Sequence, residues 1–128
     1  MLLITGGAFQ GKKDYALQLT GLAPEDVCDG LDCEYETVFH AAIIDNFHLL
    51  IRRMLLEEKD MDSFIRRLVG ENPEAVVIVN ELGCGVIPTD PFDRKYRETC
   101  GRTSCRLAKS AVSVHRVVCG IGMVIKRD

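Results

Sequence analysis

The chain has no excess of positive charge, no long hydrophobic run and no closely spaced cysteine pair. Its 128 residues carry a formal net charge of -3, so the basic surface typical of nucleic-acid-binding proteins is not expected. No stretch approaches the ~18 apolar residues that a membrane-spanning helix requires, and no signal-peptide pattern opens the chain. We therefore expect a cytoplasmic protein with no membrane span and no nucleic-acid partner.

The cysteine pattern and the length are those of an ordinary globular protein. Six cysteines are scattered along the chain without a C-x-x-C pair. Disulfide frameworks are typical of secreted proteins, and zinc sites use more closely spaced pairs, so free thiols are expected. A chain of 128 residues has the usual length of one domain, which predicts a single domain over residues 1–128.

Apolar runs alternate with helical patterns along the chain, which is typical of an α/β protein with a mainly parallel sheet. Strands are predicted at 2–5, near Val27, at 41–45 and at 75–79, and helices at 12–19, 47–58, 63–68 and about 90–110. Two further strands, 114–119 and 123–126, are separated by a turn that contains Gly120 and Gly122. They predict an antiparallel C-terminal hairpin.

Helix starts and one further loop are also predicted. Either Asp60 or Asp62 is a candidate N-cap of the helix 63–68, and Asp90 with Pro91 begins the helix 90–110. Gly83, Gly85 and Pro88 form a glycine-rich loop after the strand 75–79.

A glycine-containing loop follows the first strand. Its spacing matches the phosphate-binding pattern G-x-x-x-x-G-K, in which glycines let backbone N–H groups approach phosphate oxygens. The next helix directs the positive end of its dipole at the same anion. We expect nucleotide phosphates to bind Gly6, Gly7, Ala8, Gly11, Lys12 and Lys13. The alternative is a strand-to-helix turn without a ligand.

One position of this loop departs from the pattern. A Ser or Thr normally follows the lysine, because its hydroxyl coordinates Mg²⁺, but Lys13 occupies that position here. An ammonium group cannot ligate a cation. The loop can therefore hold a phosphate while one metal ligand is missing.

Two carboxylates follow predicted strands. Asp45 ends an apolar run, where a Mg²⁺-binding acid would lie, although an N-cap of the next helix is an equal alternative. Glu81 follows the strand 75–79, and ligands bind outside the carboxyl ends of strands in open α/β sheets. Its alternative is a buried polar cap on the strand. Lys12, Asp45 and Glu81 are the predicted catalytic residues, and Asp45 is the predicted metal ligand.

The remaining charged residues are interpreted as structural. The predicted helix 90–110 carries six cations, which favours a solvated face over a site for an anionic substrate: Arg94, Lys95, Arg97, Arg102, Arg106 and Lys109. Arg102 and Arg106 share one helical face. His48 is predicted as an exposed or half-buried helical side chain without a partner.

Several blocks of sequence, covering about half of the chain, resemble one known family. Residues 4–8 with Gly11 and Lys12 are similar to the sequence T-G-G-A-R-S-G-K-S. Residues 79–88, V-N-E-L-G-C-G-V-I-P, are similar to N-E-V-G-x-G-I-V-P, and residues 94–102 are similar to R-x-F-R-D-x-x-G-R. These are motifs of the bifunctional cobinamide kinase/cobinamide-phosphate guanylyltransferases of cobalamin biosynthesis.

The resemblance implies a RecA-like P-loop NTPase fold, a homotrimer, and GTP or ATP as nucleotide with Mg²⁺ as a candidate cofactor. Family members phosphorylate the aminopropanol hydroxyl of cobinamide and then transfer GMP from GTP through a guanylylated histidine. The resemblance implies that Gly6, Gly7, Gly11 and Lys12 bind nucleotide phosphate. It also implies that Asp45 and Glu81 lie near Mg²⁺ or the transferred group.

The chain departs from this family at residues that catalysis would use. Lys13 replaces the family's serine, and Phe9 and Gln10 replace an Arg-Ser pair. The segment that carries the nucleophilic histidine is reduced to residues 21–40, where the neighbours of His40 do not match. We expect a nucleotide-binding transferase of this family with reduced catalysis, above all of guanylyl transfer. The alternative is a non-catalytic nucleotide- or corrinoid-binding partner or sensor.

Overall fold

The computed structural model describes residues 1–82 and 89–127. Within these residues the strands and α-helices follow the order β1 (Leu2–Gly6), α1 (Lys12–Thr20), β2 (Val27–Asp29), β3 (Ile43–Asp45), α2 (Phe47–Leu56), α3 (Met61–Glu71), β4 (Val76–Asn80), α4 (Pro91–Ser110), β5 (Ser113–Val118) and β6 (Ile121–Arg127). Two short 3₁₀ turns, Pro24–Asp26 and Tyr35–Phe39, flank β2 and precede β3. The predicted glycine-rich loop at Gly83, Gly85 and Pro88 lies outside the described residues, as does Cys84.

The described strands form one mixed sheet in the order β2-β3-β4-β1-β5-β6. All neighbouring pairs are parallel except β5 and β6, which form an antiparallel pair. The β-branched run Val76–Val79 is buried throughout β4, as expected for a strand covered on both faces. The predicted α/β fold, with its mainly parallel sheet and antiparallel C-terminal hairpin, is confirmed.

Helices cover both faces of the sheet. Side chains alternate between the two faces along each strand, so each face carries apolar side chains that a helix can bury. Leu3, Val77 and Val114 pack against α2, α3 and α4 in the larger apolar cluster. Ile4 and Ile78 belong to a smaller cluster on the opposite face, which α1 covers. The larger cluster therefore supplies most of the hydrophobic stabilisation of the sheet.

The carboxyl ends of β1 and β4 lie side by side at the centre of the sheet, with Gly6 paired to Asn80. The connection after β1 passes over one face through α1, and the connection after β4 passes over the other through α4. Crevices that bind ligands form where connections diverge in this way. The topology thus places the loop between β1 and α1, together with Asp45 and Glu81, at one edge of the sheet.

Two aspartates begin helices as the sequence predicts. Asp60 accepts a hydrogen bond from the Ser63 backbone N–H at 3.2 Å, which decides between the two aspartates proposed for that cap. Asp90 accepts one from the Phe92 backbone N–H at 2.8 Å, and Pro91 follows it in the first turn. None of the described helices is long and apolar enough to cross a membrane.

Helix α3 is longer at both ends than the predicted helix 63–68. The helix continues through Gly70 to Glu71, and Asn72 ends it. The Asn72 side chain donates hydrogen bonds to the carbonyl oxygens of Val38 and Ala41 at 3.0 and 2.9 Å. A glycine inside a helix costs only about 1 kcal/mol, so the tertiary contacts of Asn72 set the boundary.

Gly6 permits the close approach of β1 to β5. Its φ is +149°, and an added Cβ would come within 2.5 Å of the Val117 carbonyl oxygen. The nearest atom, the Val117 carbonyl oxygen, belongs to the backbone, so a Gly6→Ala variant should lose about 1–3 kcal/mol of stability through overpacking. Urea denaturation would measure this loss. The matched variant Gly70→Ala, whose Cβ would meet no atom within 4 Å, should be neutral or stabilising, and equal stability of both variants would contradict the close approach.

Candidate functional site

The segment between β1 and α1 lies at the mouth of a cleft of about 480 Å³. We call it the loop cleft. Three segments of the chain line it, namely residues 8–14, the end of β3 at Asp45 and Asn46, and the end of β4 at Asn80. Five of the six predicted nucleotide-binding residues belong to or adjoin this lining, and Gly6 forms the base of the loop.

Lys12 is buried at the start of α1, and only 7% of its surface is exposed. Its ammonium donates a hydrogen bond to the Gly7 carbonyl oxygen at 2.7 Å. Burial lowers the pKa of Lys12, whereas the nearby carboxylates of Asp45 and Glu81 raise it. Because an ammonium has three hydrogens and Gly7 receives one, this side chain can also bind an anion in the cleft.

The first turn of α1 has no side-chain cap. Its N-cap is Gly11, with a left-handed φ of 85°. The first N–H groups of a helix lack intrahelical partners, and the helix dipole makes this end positive. The amide groups next to Lys12 are therefore suited to an anionic ligand such as phosphate.

The C-terminal hairpin holds the loop in place through Gln10. The Gln10 carbonyl oxygen accepts a hydrogen bond from the Gly120 backbone N–H at 2.8 Å. Its side-chain oxygen accepts a second from the Cys119 backbone N–H at 2.6 Å. The sequence analysis missed this role, because no local pattern relates residue 10 to a turn more than 100 positions away.

A second contact joins α1 to the hairpin. Burial lowers the pKa of His115, which favours the neutral imidazole. Its Nδ1 accepts a hydrogen bond from the Tyr15 hydroxyl at 2.5 Å. The Ser113 hydroxyl donates to the Lys126 carbonyl oxygen at 3.2 Å, so its oxygen accepts the proton of Nε2 at 2.9 Å, and Nδ1 is left as the acceptor. Tyr15 lies three residues after Lys12, so this chain of hydrogen bonds orients the first turns of α1.

Asp45 faces the loop cleft with two lysines nearby. Its Oδ1 accepts a hydrogen bond from the Asn46 backbone N–H at 2.8 Å. Burial raises the pKa of Asp45, whereas the Asn46 N–H and the charges of Lys13 and Lys12 lower it. The alternative role of Asp45 as the cap of α2 is wrong, because Asn46 occupies that position.

The structure also places Asp29 beside this site. Its Oδ1 accepts a hydrogen bond from the Asn46 side-chain amide at 3.0 Å, and its charge contributes to the raised pKa of Asp45. Within 1–82 and 89–127, however, no three His, Cys, Asp or Glu side chains are grouped so that they could hold a metal ion. The predicted metal role of Asp45 therefore stays a prediction.

Glu81 lies near the loop but faces away from its cleft. Its carboxylate accepts two hydrogen bonds from the Arg116 guanidinium, at 2.9 and 3.2 Å. Together with Arg97 and Cys100 it lines a smaller cleft of about 210 Å³ on the α4 side. Glu81 is close enough to raise the pKa of Lys12, so its predicted catalytic role would act through charge.

The prediction for His48 is wrong, because the side chain is buried and has a partner. The His48 Nδ1 accepts a hydrogen bond from the Asn80 backbone N–H at 3.3 Å. The backbone carbonyl oxygen of His48 accepts another from the Tyr96 hydroxyl at 2.9 Å. The first turn of α2 lies over the end of β4, which directs residue 48 inwards. One feature of the sequence indicated this burial. His48 lies three residues before Ile51, so both side chains lie on the same face of α2, and Ile51 is buried.

Comparison with known proteins identifies the family of this chain. The family described as cobinamide kinase/cobinamide phosphate guanyltransferase, CobU, matches residues 23–125. This match covers most of the chain. The chain belongs to the CobU family. The match includes Asp45, Glu81 and all of α4 but begins after the loop, so the role of the loop rests on its geometry.

Two curated proteins of this family are similar to parts of the chain. Both are named bifunctional adenosylcobalamin biosynthesis protein CobU. The one from Salmonella typhimurium is 42% identical over 73 residues, which are 54% of this chain and 40% of the relative. The one from Escherichia coli is 40% identical over 53 residues, 41% of this chain and 29% of the relative. The similarity thus spans less than half of each curated CobU protein.

Burial of His48 makes stability depend on pH. Its pKa is lowered to about 4 from 6.5, so the unfolded chain takes up the proton first as the pH falls. Stability is complete above pH 6.5 and is lost as the pH falls from 6.5 to 4. Urea denaturation should show a loss of roughly 2 kcal/mol between pH 7 and pH 5.

Two histidine variants separate this effect from other titrations. In His48→Asn the side-chain oxygen can still accept the Asn80 hydrogen bond, so most of the pH dependence should disappear. His40→Asn changes an exposed side chain and should retain it. His115 contributes a smaller dependence of the same sign, since burial lowers its pKa also. An unchanged pH profile in His48→Asn would contradict the buried, neutral state of this residue.

Proposed function

We propose that this CobU-family chain binds GTP or ATP in the loop cleft and transfers a phosphoryl or guanylyl group to cobinamide, with reduced catalysis. The observation that supports this most is the buried ammonium of Lys12. It lies behind the Gly6–Gly11 turn and faces the same cleft as Asp45. A buried cation at an uncapped helix start is a strong site for polyphosphate.

The residues of the cleft have distinct roles in the proposed phosphoryl transfer. Lys12 and the first amide groups of α1 bind the outer phosphates and stabilise the charge that develops on the transferred group. Asp45, whose pKa burial raises, accepts the proton of the acceptor hydroxyl as its oxygen bonds to phosphorus. The nucleoside diphosphate leaves from the opposite side. Glu81 maintains the charge state of Lys12.

Asp45 has fewer potential Mg²⁺ ligands around it than the phosphate-binding pattern normally supplies. Lys13 replaces the hydroxyl ligand, and its charge lowers the pKa of Asp45, as expected for an ammonium close to this carboxylate. The described residues provide no group of three metal-ligating side chains. We therefore propose that the Lys13 ammonium, at the mouth of the cleft, supplies positive charge where related loops use a cation.

This substitution also favours a second candidate function. A tethered ammonium can neutralise phosphate charge, but it cannot bridge two phosphates and the protein as Mg²⁺ does. A non-catalytic nucleotide- or corrinoid-binding partner or sensor would need only the binding.

A homotrimer and a cytoplasmic location complete the proposal. The family resemblance supports the trimer, and the absence of disulfides among the five described cysteines supports the location.

The Lys12→Ala variant tests nucleotide binding. Removing a buried charge-assisted contact should cost about 2 kcal/mol, or roughly 30-fold in the Kd for GTP or ATP. Isothermal titration calorimetry would measure it, with Arg66→Ala as a control that removes an exposed cation outside the loop cleft. Failure of the unmodified protein to bind GTP and ATP would exclude the proposal. Binding without transfer to cobinamide in a radiolabel assay would leave the sensor function.

The Lys13→Ser variant tests the origin of the positive charge. The unmodified protein should bind nucleotide with a Kd that changes less than about threefold when Mg²⁺ is chelated, because Lys13 is covalently present. The serine restores the hydroxyl of the pattern, so this variant should bind about tenfold more tightly with Mg²⁺ than without. Lys13→Ala should bind weakly in both conditions. A strong Mg²⁺ requirement in the unmodified protein would contradict this role.

A further inference from the structure

A further cleft lies away from the loop, between the start of α3 and one face of α4. It has a volume of about 720 Å³, and we call it the α3–α4 cleft. It shares no lining residue with the loop cleft. Its size is within the range of about 300–1,000 Å³ that is usual for small-molecule sites.

Five cations line this cleft against two carboxylates. The cations are Lys59, Lys95, Arg102, Arg106 and Lys109, and the carboxylates are Asp60 and Asp62. Four of the cations lie at spacings of seven, four and three residues on α4, which places them on one helical face. The balance is five minus two, or +3, in a chain whose net charge is -3.

Both carboxylates are engaged within the protein. Asp60 caps α3 through its hydrogen bond from the Ser63 backbone N–H. Asp62 pairs with Arg106 at 2.9 Å. Among the described residues Lys95, Arg102 and Lys109 have no ion-pair partner, so uncompensated positive charge faces the cleft.

The surroundings of these cations strengthen an anion site. The first residues of α3 line the cleft, so the positive end of its helix dipole adds to the field of the lysines and arginines. Leu55 and Met61 form an apolar wall beside the charges. Thr99 and Thr103, both buried, form part of the α4 side. A charged group and an apolar group of one molecule could therefore be bound together.

We propose that the α3–α4 cleft binds a small molecule that carries two or more phosphate groups, at a site separate from the loop cleft. Several cations around one concavity match several linked anionic groups better than a single charge. The cleft is closed by elements on two sides, which suits a compact ligand. An extended acidic segment of another protein is the competing occupant.

Calorimetry with tripolyphosphate and ATP on the Lys12→Ala variant tests this site, because that variant removes the main contact of the loop cleft. We expect Lys12→Ala to bind one equivalent of tripolyphosphate. Adding Arg102→Ala should weaken this binding about tenfold or more, through loss of a charge-assisted contact. The matched variant Arg66→Ala removes an exposed arginine of α3 outside the cleft and should change the Kd less than about twofold.

Each other outcome would overturn the proposal. These are an absence of tripolyphosphate binding in Lys12→Ala, an unchanged Kd in the Arg102→Ala double variant, and an equal loss from Arg66→Ala. Binding of a polyglutamate peptide without binding of tripolyphosphate or ATP would assign the cleft to an acidic protein segment. If Lys12→Ala fails to fold in a thermal melt, the unmodified protein replaces it. The unmodified protein should then bind two equivalents, one of which is weakened about tenfold or more in Arg102→Ala and changes less than about twofold in Arg66→Ala.

Discussion

The packing of the β1–α1 loop against the C-terminal hairpin determines the geometry of the candidate site. Gly6 lets β1 approach β5, and Gln10 accepts two hydrogen bonds from the turn between β5 and β6. Tyr15 and His115 fix the next turn of α1. The ammonium of Lys12 is therefore held by residues that are distant in the sequence, and a loop without these contacts would have to be ordered by its ligand at an entropic cost.

Burial of the Lys12 ammonium has a cost in free energy and a benefit for function. A buried cation is destabilised unless charges or hydrogen bonds compensate it, and here Asp45, Glu81 and the Gly7 carbonyl oxygen provide the compensation. The same positive charge helps to keep neighbouring His48 neutral, so that His48 can accept the hydrogen bond from Asn80. Anion binding, the protonation state of His48 and the end of β4 are thus linked through one electrostatic environment.

The sequence predicted the parts of this arrangement that local patterns encode. The alternation of apolar runs gave the sheet and its helices, and Asp60 and Asp90 marked helix starts. The inward direction of His48, the cap role of Asn46 and the length of α3 depend on contacts between segments far apart in the chain, which periodicity does not contain. Gln10 and Asp29 were missed for the same reason, since neither has a motif that identifies its partner.

The charge of Lys13 bears on how the proposed function could operate without a hydroxyl ligand at that position. If Lys13 had only removed a metal ligand, a neutral residue would have served equally well, whereas an ammonium beside Asp45 restores part of the missing charge. The cost is lower flexibility, since a tethered cation cannot follow the phosphates as they rearrange during transfer. Ground-state binding is retained more fully than transition-state stabilisation by such an exchange. Under the proposed function, the substitution would therefore favour nucleotide binding over phosphoryl transfer.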